Sequence, residues 1–580
     1  MKFFHVYNEE CYKGLEKNGL LNKDTAFKIQ NVFSVPRERQ FNNIAAIGGE
    51  LHRMIKENKI PFYADRIAGG ITYYKYEYDK RLIHEYEDIL GEWFLGFQLH
   101  ESASNRKDCD WAYLLKTMGS KGPYDLAEMD KKLKSTYAIT PYGEVLHALS
   151  QGSIEEFSKL KFPETYEEFY GEIREMYKLR MAETNGNILP CDSYYVTTKL
   201  QDELGMKSFM PEVGAQIPGM REQVAIARGI AKASGKTWGT YYECWGPAFN
   251  EKGEIYVTMP CYNSDPINEW YLKQENHCDD FSNYGTQGGS SRLLQNRIYY
   301  HALMSGADYF SEEWGLNCSY YDMKDFALSP YGETKKAFIN DALKLQGVEA
   351  ETPFALVLPK KFGAYEIHNV FEDAIREDKS FKYMGYTLSA EDEKYLKHIE
   401  QVRDLIFASS ENKFNSGNEG HVIRNSRFGD MFDIVYEDTN PEALKKYSYL
   451  IDTTPDSIFA KANPQLKVLK SSDIGWLETE LTRLVKETMP VCVDGLCWLV
   501  STDKGGKRYL SIFNNDGNER SNAYGDKIDN SFDRTVNVSF KKAADIKVIK
   551  EGNFPSEILR VDDNTYSIKV PATAFIILEF

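Results

Sequence analysis

The sequence predicts an α/β protein: a (β/α)8 TIM barrel, then a small doubly wound α/β domain, then a C-terminal β-sandwich. Three observations lead there. Over residues 1–350 short apolar segments alternate with longer segments of helical period, eight times over, as repeated βα units around a parallel sheet require. Over 351–488 that alternation resumes on a smaller scale, and over 489–580 strand patterns follow one another through Asn/Asp/Gly turns.

Taken in order, the first expected strand is Phe3-Phe4-His5-Val6-Tyr7, with a helix near 9–18, and the second is Phe27–Phe33, followed by a long helix over 41–57. The third strand is Pro61–Asp65 and the fourth Trp93–Glu101, separated by a helix near 79–91. An aromatic and charged insertion occupies 102–186 and ends in the helical stretch Tyr166–Glu183; Asn187–Asp192 then opens the fifth strand. The sixth is Ser208–Glu212, and its helix, Arg221–Ala233, is closed by Ser234-Gly235, where glycine supplies the left-handed conformation of a helix end. Thr237–Glu243 is the seventh strand and Ala307–Glu312 the eighth, and Ser329-Pro330 supplies cap and first-turn chemistry for the last barrel helix. The second region carries Phe354–Pro359, Phe432–Tyr436 and Tyr449–Asp452 but no GxGxxG after its first strand, so no nucleotide is assigned to it. The third carries strands such as Arg508–Phe513 and Ala574–Leu578.

Composition narrows the chemistry. The formal charge of −17 over 580 residues would repel phosphate backbones, and no Lys/Arg cluster with interleaved aromatics opposes it, so nucleic acid is not expected as a partner. Charged residues at Glu9 and Glu10 come too early for a secretory apolar region, and no uninterrupted apolar run matches a membrane span, so a cytoplasmic protein without membrane contact is expected. The nine cysteines are scattered without a CxxC pair, as reduced thiols would be. The 14% aromatic content is mostly core and interface packing by default; a minority can stack on sugar rings.

In such a barrel, function gathers where strands end. Glutamates end four of these strands: Glu101 after His100 on the fourth, Glu212 on the sixth, Glu243 on the seventh, and Glu312-Glu313 on the eighth; Asp65-Arg66 ends the third. Any one of them alone is more readily a solvated charge or an ion pair. Together, each closing an apolar strand where desolvation is costly, they suit acid and nucleophile work on an acetal. Metal chemistry fits less well, because His100 and His277-Cys278 stand outside any ligand spacing; no cofactor and no metal are expected. Two rival readings remain: a non-catalytic carbohydrate-binding barrel, and a metal-assisted hydrolase or deacetylase on the same fold.

The chain resembles the glycoside hydrolases of the large (β/α)8 clan whose acid/base ends strand four and whose nucleophile ends strand seven, the places of Glu101 and Glu243. Its three-part order resembles the trimeric β-galactosidases of glycoside hydrolase family 42 and their relatives. Gly96-Phe97-Gln98-Leu99-His100-Glu101 matches their Gly-x-Gln-x-x-Asn-Glu pattern except at His100, and Gly306-Ala307-Asp308 followed by Trp314 is similar to their eighth strand and sugar-floor Trp. The resemblance implies a retaining exo-glycosidase acting on small β-linked oligosaccharides or glycosides by double displacement, assembled as a homo-oligomer, with a trimer favoured. It implies Glu243 as nucleophile and Glu101 as acid/base. Asp65, Arg66, His100, Asn105, Glu212, Tyr241, Trp245, Glu313 and Trp314 would then bind substrate or orient the pair, and residues 260–291 are a candidate loop over the pocket.

Overall fold

The computed structural model describes residues 1–7, 9–29, 57–64, 91–100, 166–183, 185–191, 197–214, 219–243, 248–249, 255–257, 291–313, 319–320, 325–345, 347–360, 389–411, 419–521 and 525–580. Nine strands make one barrel-like sheet: β1 (Lys2–Tyr7), β2 (Thr25–Ile29), β3 (Phe62–Ala64), β4 (Phe94–His100), β5 (Ile188–Cys191), β6 (Ser208–Phe209), β7 (Glu212–Gly214), β8 (Thr237–Glu243) and β9 (Tyr309–Glu312). Their order is β5-β4-β3-β2-β1-β9-β8-β6, with β7 also on β8. The ladders with a defined register are all parallel. The expected helices near 41–57 and 79–91 lie outside the described residues, save for the 3-10 turn Gly91–Trp93.

The expected sixth strand needs correction. Ser208–Glu212 is not one strand, because Met210-Pro211 interrupts it and Pro211 has no N–H to give to a ladder. Glu212 therefore does not end a strand. It begins β7, and that strand lies along β8 with Glu212 opposite Tyr241, Val213 opposite Tyr242 and Gly214 opposite Glu243.

The chain divides into two compact units, residues 1–26, 212–358 and 398–580 in the first, and 27–211 with 359–397 in the second. In the second unit, β3 and β4 carry a bulge: Phe62 pairs Phe94 while Ala64 pairs Phe97. Gly96 sits there at φ 137°, and a Cβ on it would lie 2.9 Å from the Asn187 carbonyl oxygen, so both the conformation and the space require glycine. The helix α2 (Tyr166–Glu183) buries Tyr177, whose hydroxyl accepts from Gln201 Nε2 at 3.3 Å on α3 (Thr197–Glu203).

In the first unit, β1, β7, β8 and β9 are backed by α4 (Met220–Ser234), α5 (Arg292–Met304) and α6 (Pro330–Ala342). Helix α1 (Glu9–Lys17) follows β1. The helix ends are where local chemistry puts them. Gly235 closes α4 at φ 69° and donates to the Ala231 carbonyl, Ser291 caps α5 by accepting from Leu294 N–H, and Ser329 caps α6 by accepting from Gly332 N–H at 3.2 Å. Between strands and helices an aromatic layer fills the space: Phe3 lies 5.5 Å from Phe310 and 5.9 Å from Tyr299, and Tyr299 lies 4.6 Å from Phe338. Each such pair contributes about 0.5–1.5 kcal/mol beyond its area burial.

Further along the same unit, Phe432–Tyr436, Phe354–Leu358, Tyr449–Asp452 and Val468–Lys470 form a four-stranded parallel sheet in that spatial order. Helix α4 is tied to it by charge: Arg228 Nε donates to Asp433 Oδ1 at 2.5 Å, and Lys232, Thr352 and Tyr447 converge on Asp433 Oδ2. Burial alone would raise the Asp433 carboxyl; Lys232 and Arg228 reverse that and hold it below its usual range. Two larger antiparallel sheets follow. One joins Glu349–Ala350, Cys497–Thr502, Arg508–Phe513, Phe575–Glu579 and Lys547–Gly552, and the other joins Val491–Val493, Arg534–Phe540, Thr565–Val570 and Glu557–Arg560. Cys492 and Cys497 are strand residues with free thiols. No described helix is long and apolar enough to cross a membrane.

Candidate active site

The register of β7, β8 and β9 sorts the acids of the first unit onto two faces. In β8, the Tyr242 ring lies 6.1 Å from Tyr299 of α5 and 6.2 Å from Phe310, so Tyr242 points at the helix layer. Residues paired across a parallel ladder share a face, and Glu312 is opposite Tyr242. Glu312 accordingly meets the helices: the Tyr299 hydroxyl donates to its Oε1, and Lys335 Nζ of α6 pairs with its Oε2. Lys335 also donates to Ser319 Oγ at 2.5 Å, and Gln295 Nε2 donates to the Tyr299 hydroxyl at 2.9 Å.

Alternation puts Tyr241 and Glu243 on the opposite face, and with them their partners Glu212, Gly214 and Ser311. Glu313 continues the β9 ladder by donating its N–H to the Tyr242 carbonyl at 2.8 Å, one residue beyond Glu312 and so on the side of Glu243. Glu212, Glu243 and Glu313 are all buried, at 0%, 2% and 2% exposure. Three carboxyl groups thus stand on one buried face, Glu212 at the start of β7, Glu243 at the end of β8 and Glu313 one residue beyond β9.

Of the residues expected to act, the structure thus brings Glu212, Tyr241, Glu243 and Glu313 to one face of the first unit. His100 closes β4 in the second unit. Glu101, Asp65, Arg66, Asn105, Trp245 and Trp314 lie outside the described residues, as do the 102–165 part of the insertion and the loop 260–290. Gln98, fully buried on β4, has neither its amide oxygen nor its amide nitrogen hydrogen-bonded among the described residues. Its only sequence signal is its place in the Gly96-x-Gln98 pattern.

A different cluster of the first unit has metal-ligating groups: His301, Asp430 and Cys497, all buried. His301 Nε2 and Asp430 Oδ2 are 2.6 Å apart, a direct hydrogen bond rather than the wider spacing of two ligands on one ion. Arg221 Nε already donates to Asp430 Oδ1 at 2.5 Å, and although burial would raise this carboxyl, Arg221 and His301 hold it below the usual range. Burial first, and Asp430 next, push the Cys497 thiol up, away from the thiolate a metal needs. The cluster reads as an ionic joint between α4, α5 and the strands that follow.

No family model matches the chain, and no curated protein matches it. Three solved glycoside hydrolases are among the similar structures. They are α-L-fucosidase isoenzyme 2 from Paenibacillus thiaminolyticus (TM-score 0.41, 9% identity, 100% of this chain and 99% of that one) and the catalytic module of a family 98 glycoside hydrolase from Streptococcus pneumoniae TIGR4 (0.36, 9%, 100% and 98%). The third is the apo exo-carrageenase GH42 from Bacteroides ovatus (0.38, 11%, 100% and 79%). Likenesses at these TM-scores carry no weight for the site, which stands on its own residues.

Proposed function

We propose that the chain is a retaining exo-glycoside hydrolase of β-galactosidase-like type, acting on small β-linked oligosaccharides or glycosides, with Glu243 as nucleophile and Glu101 as acid/base. One observation carries this reading: Glu243 ends a parallel strand on a buried face shared with Glu212 and Glu313. Glu243 attacks the anomeric carbon as Glu101 protonates the departing oxygen; Glu101 then takes a proton from water, which releases the sugar from Glu243. Glu212 and Glu313, with Asp65, Arg66, His100 and Asn105, bind hydroxyls or orient the pair, and Tyr241, Trp245 and Trp314 form walls. No cofactor takes part.

The same reading extends to architecture. The parallel sheet within 351–488 acts as an α/β domain that serves assembly, the antiparallel sheets of 489–580 pack as a β-sandwich, and residues 1–350 form the catalytic barrel. The protein works in the cytoplasm as a homo-oligomer, a trimer by preference. Sedimentation near neutral pH tests this; a clean monomer of 66.7 kDa at micromolar concentration refutes the assembly.

The decisive experiment is kinetic. A panel of nitrophenyl glycosides finds the sugar. On that substrate Glu243→Ala loses turnover and azide restores it as the glycosyl azide of inverted configuration. Glu101→Ala keeps turnover on good leaving groups, and azide gives the retained configuration. If Glu212→Ala or Glu313→Ala shows the Glu243→Ala behaviour instead, the nucleophile is misassigned.

A further inference from the structure

We infer that Gly214 is a positioning residue for the Glu243 carboxylate, and that its lack of a side chain sets where the nucleophile stands. The inference rests on Glu243 being the nucleophile. Gly214 faces Glu243 across the β7–β8 ladder. A Cβ at Gly214 would lie 2.6 Å from Glu243 Cβ, 2.8 Å from the Glu243 carbonyl oxygen and 3.0 Å from its carboxylate Oε2. Carbon atoms pack at about 3.5–4.0 Å, so no other residue fits without moving the end of β8.

Backbone conformation does not explain the glycine, for Gly214 is absent from the positive-φ positions of the chain. Glycine weakens a strand, through chain entropy and lost packing, unless something must come close. What comes close here is the Glu243 side chain and main chain together. The carboxylate lies back over β7, on the face that also carries Glu212, and this fixes its distance from any atom it attacks. A methyl group at 214 displaces it. A misplacement of about 1 Å costs on the order of 100-fold in rate when the reacting geometry is near-attack.

The test compares the full-length protein with Gly214→Ala, using 2,4-dinitrophenyl 2-deoxy-2-fluoro-β-galactopyranoside, or the same derivative of whichever sugar the glycoside panel selects. This probe reports the attack step alone, by leaving a stable glycosyl ester on the nucleophile. The wild-type protein should be labelled at Glu243 by peptide mass mapping. Gly214→Ala should be labelled to the same final extent about 100-fold more slowly, with KM for the nitrophenyl glycoside within a few-fold of wild type. A merely structural glycine would lower the fraction labelled and leave the rate constant unchanged, and that outcome overturns the inference. Labelling of the wild type elsewhere, or not at all, instead overturns the assignment of Glu243. Should Gly214→Ala fail to fold, Gly214→Ala in a Glu243→Gly background decides the matter by thermal melting. The methyl should cost less there than in the wild-type background, and an equal loss in both backgrounds overturns the inference.

Discussion

Glu312 and Glu313 are neighbours in sequence, equally acidic and equally buried, yet they belong to different parts of the molecule. Glu312 faces the helix layer, where Tyr299 and Lys335 meet its two carboxylate oxygens. Glu313 faces the other way, on the side of Glu212, Tyr241 and Glu243. On the helix face, charge is matched by charge and hydrogen bonds, which is how a buried ion is kept in a core. On the opposite face three carboxyl groups share one buried surface, the one that the proposed mechanism uses. The comparison teaches that burial and residue type do not separate an acid held by the helix layer from one on the face of the proposed nucleophile; the direction of the side chain does.

The sharpest break of that contrast is to remove one acid from each face. Glu243→Ala should lower turnover by about 10⁴-fold or more, as loss of the proposed nucleophile does, with the loss falling on activity rather than on the urea midpoint. A large loss of stability with retained activity would reverse the assignment of the two faces. Glu312→Ala should do the opposite: it leaves Lys335 buried without its carboxylate and should cost about 3–5 kcal/mol in a urea titration. Unchanged stability in that variant would show that the helix-face acid is not held as described.

The helix face also holds His5 on β1, in a pocket shared with Glu312, Ser319, Tyr320 and Lys335. Burial, and then the Lys335 charge, lower its pKa from 6.5 to about 3. The folded protein thus keeps His5 neutral where the unfolded chain takes up a proton. Its contribution is fully present above pH 6.5 and is lost as the pH falls from there toward about 3. Stability of the wild type should therefore fall by up to about 1.4 kcal/mol per pH unit across that window from this group, and His5→Phe should flatten the slope. An identical slope in His5→Phe would place the titration elsewhere. The smallest effect tests the frame both faces depend on: Ser329→Ala removes the cap of α6, which carries Lys335, and should cost about 1 kcal/mol in the same titration.

Much of the frame was legible in the chain. Ser329 and Gly235 mark helix ends because capping is local chemistry, decided by the residues next to the helix and the hydrogen bonds those residues can reach. Aromatic and β-branched runs such as Phe3–Val6 and Trp238–Tyr242 specify strands for the same reason, and Glu243 could be singled out because it ends one. The sequence also carried the sign against the expected sixth strand, since Pro211 cannot donate to a ladder, but only the pairing of Glu212 with Tyr241 revealed where the chain went instead.

What the sequence could not decide is which acids face each other. Side chains alternate along a strand, so a shift of one residue moves every group to the other face, and the register is set by contacts with strands and helices far away in the chain. Tyr299 and Lys335 claim Glu312 across 13 and 23 residues of chain, leaving Glu313 for the face of Glu243. In the same way, nothing in Glu212-Val213-Gly214 announces that its glycine makes room for a carboxylate 29 residues later; that follows only once β7 lies against β8. Local preferences, being short-ranged, write the elements into the sequence. The meeting of groups distant along the chain depends on packing the whole of the first unit, and so only the tertiary structure decides it.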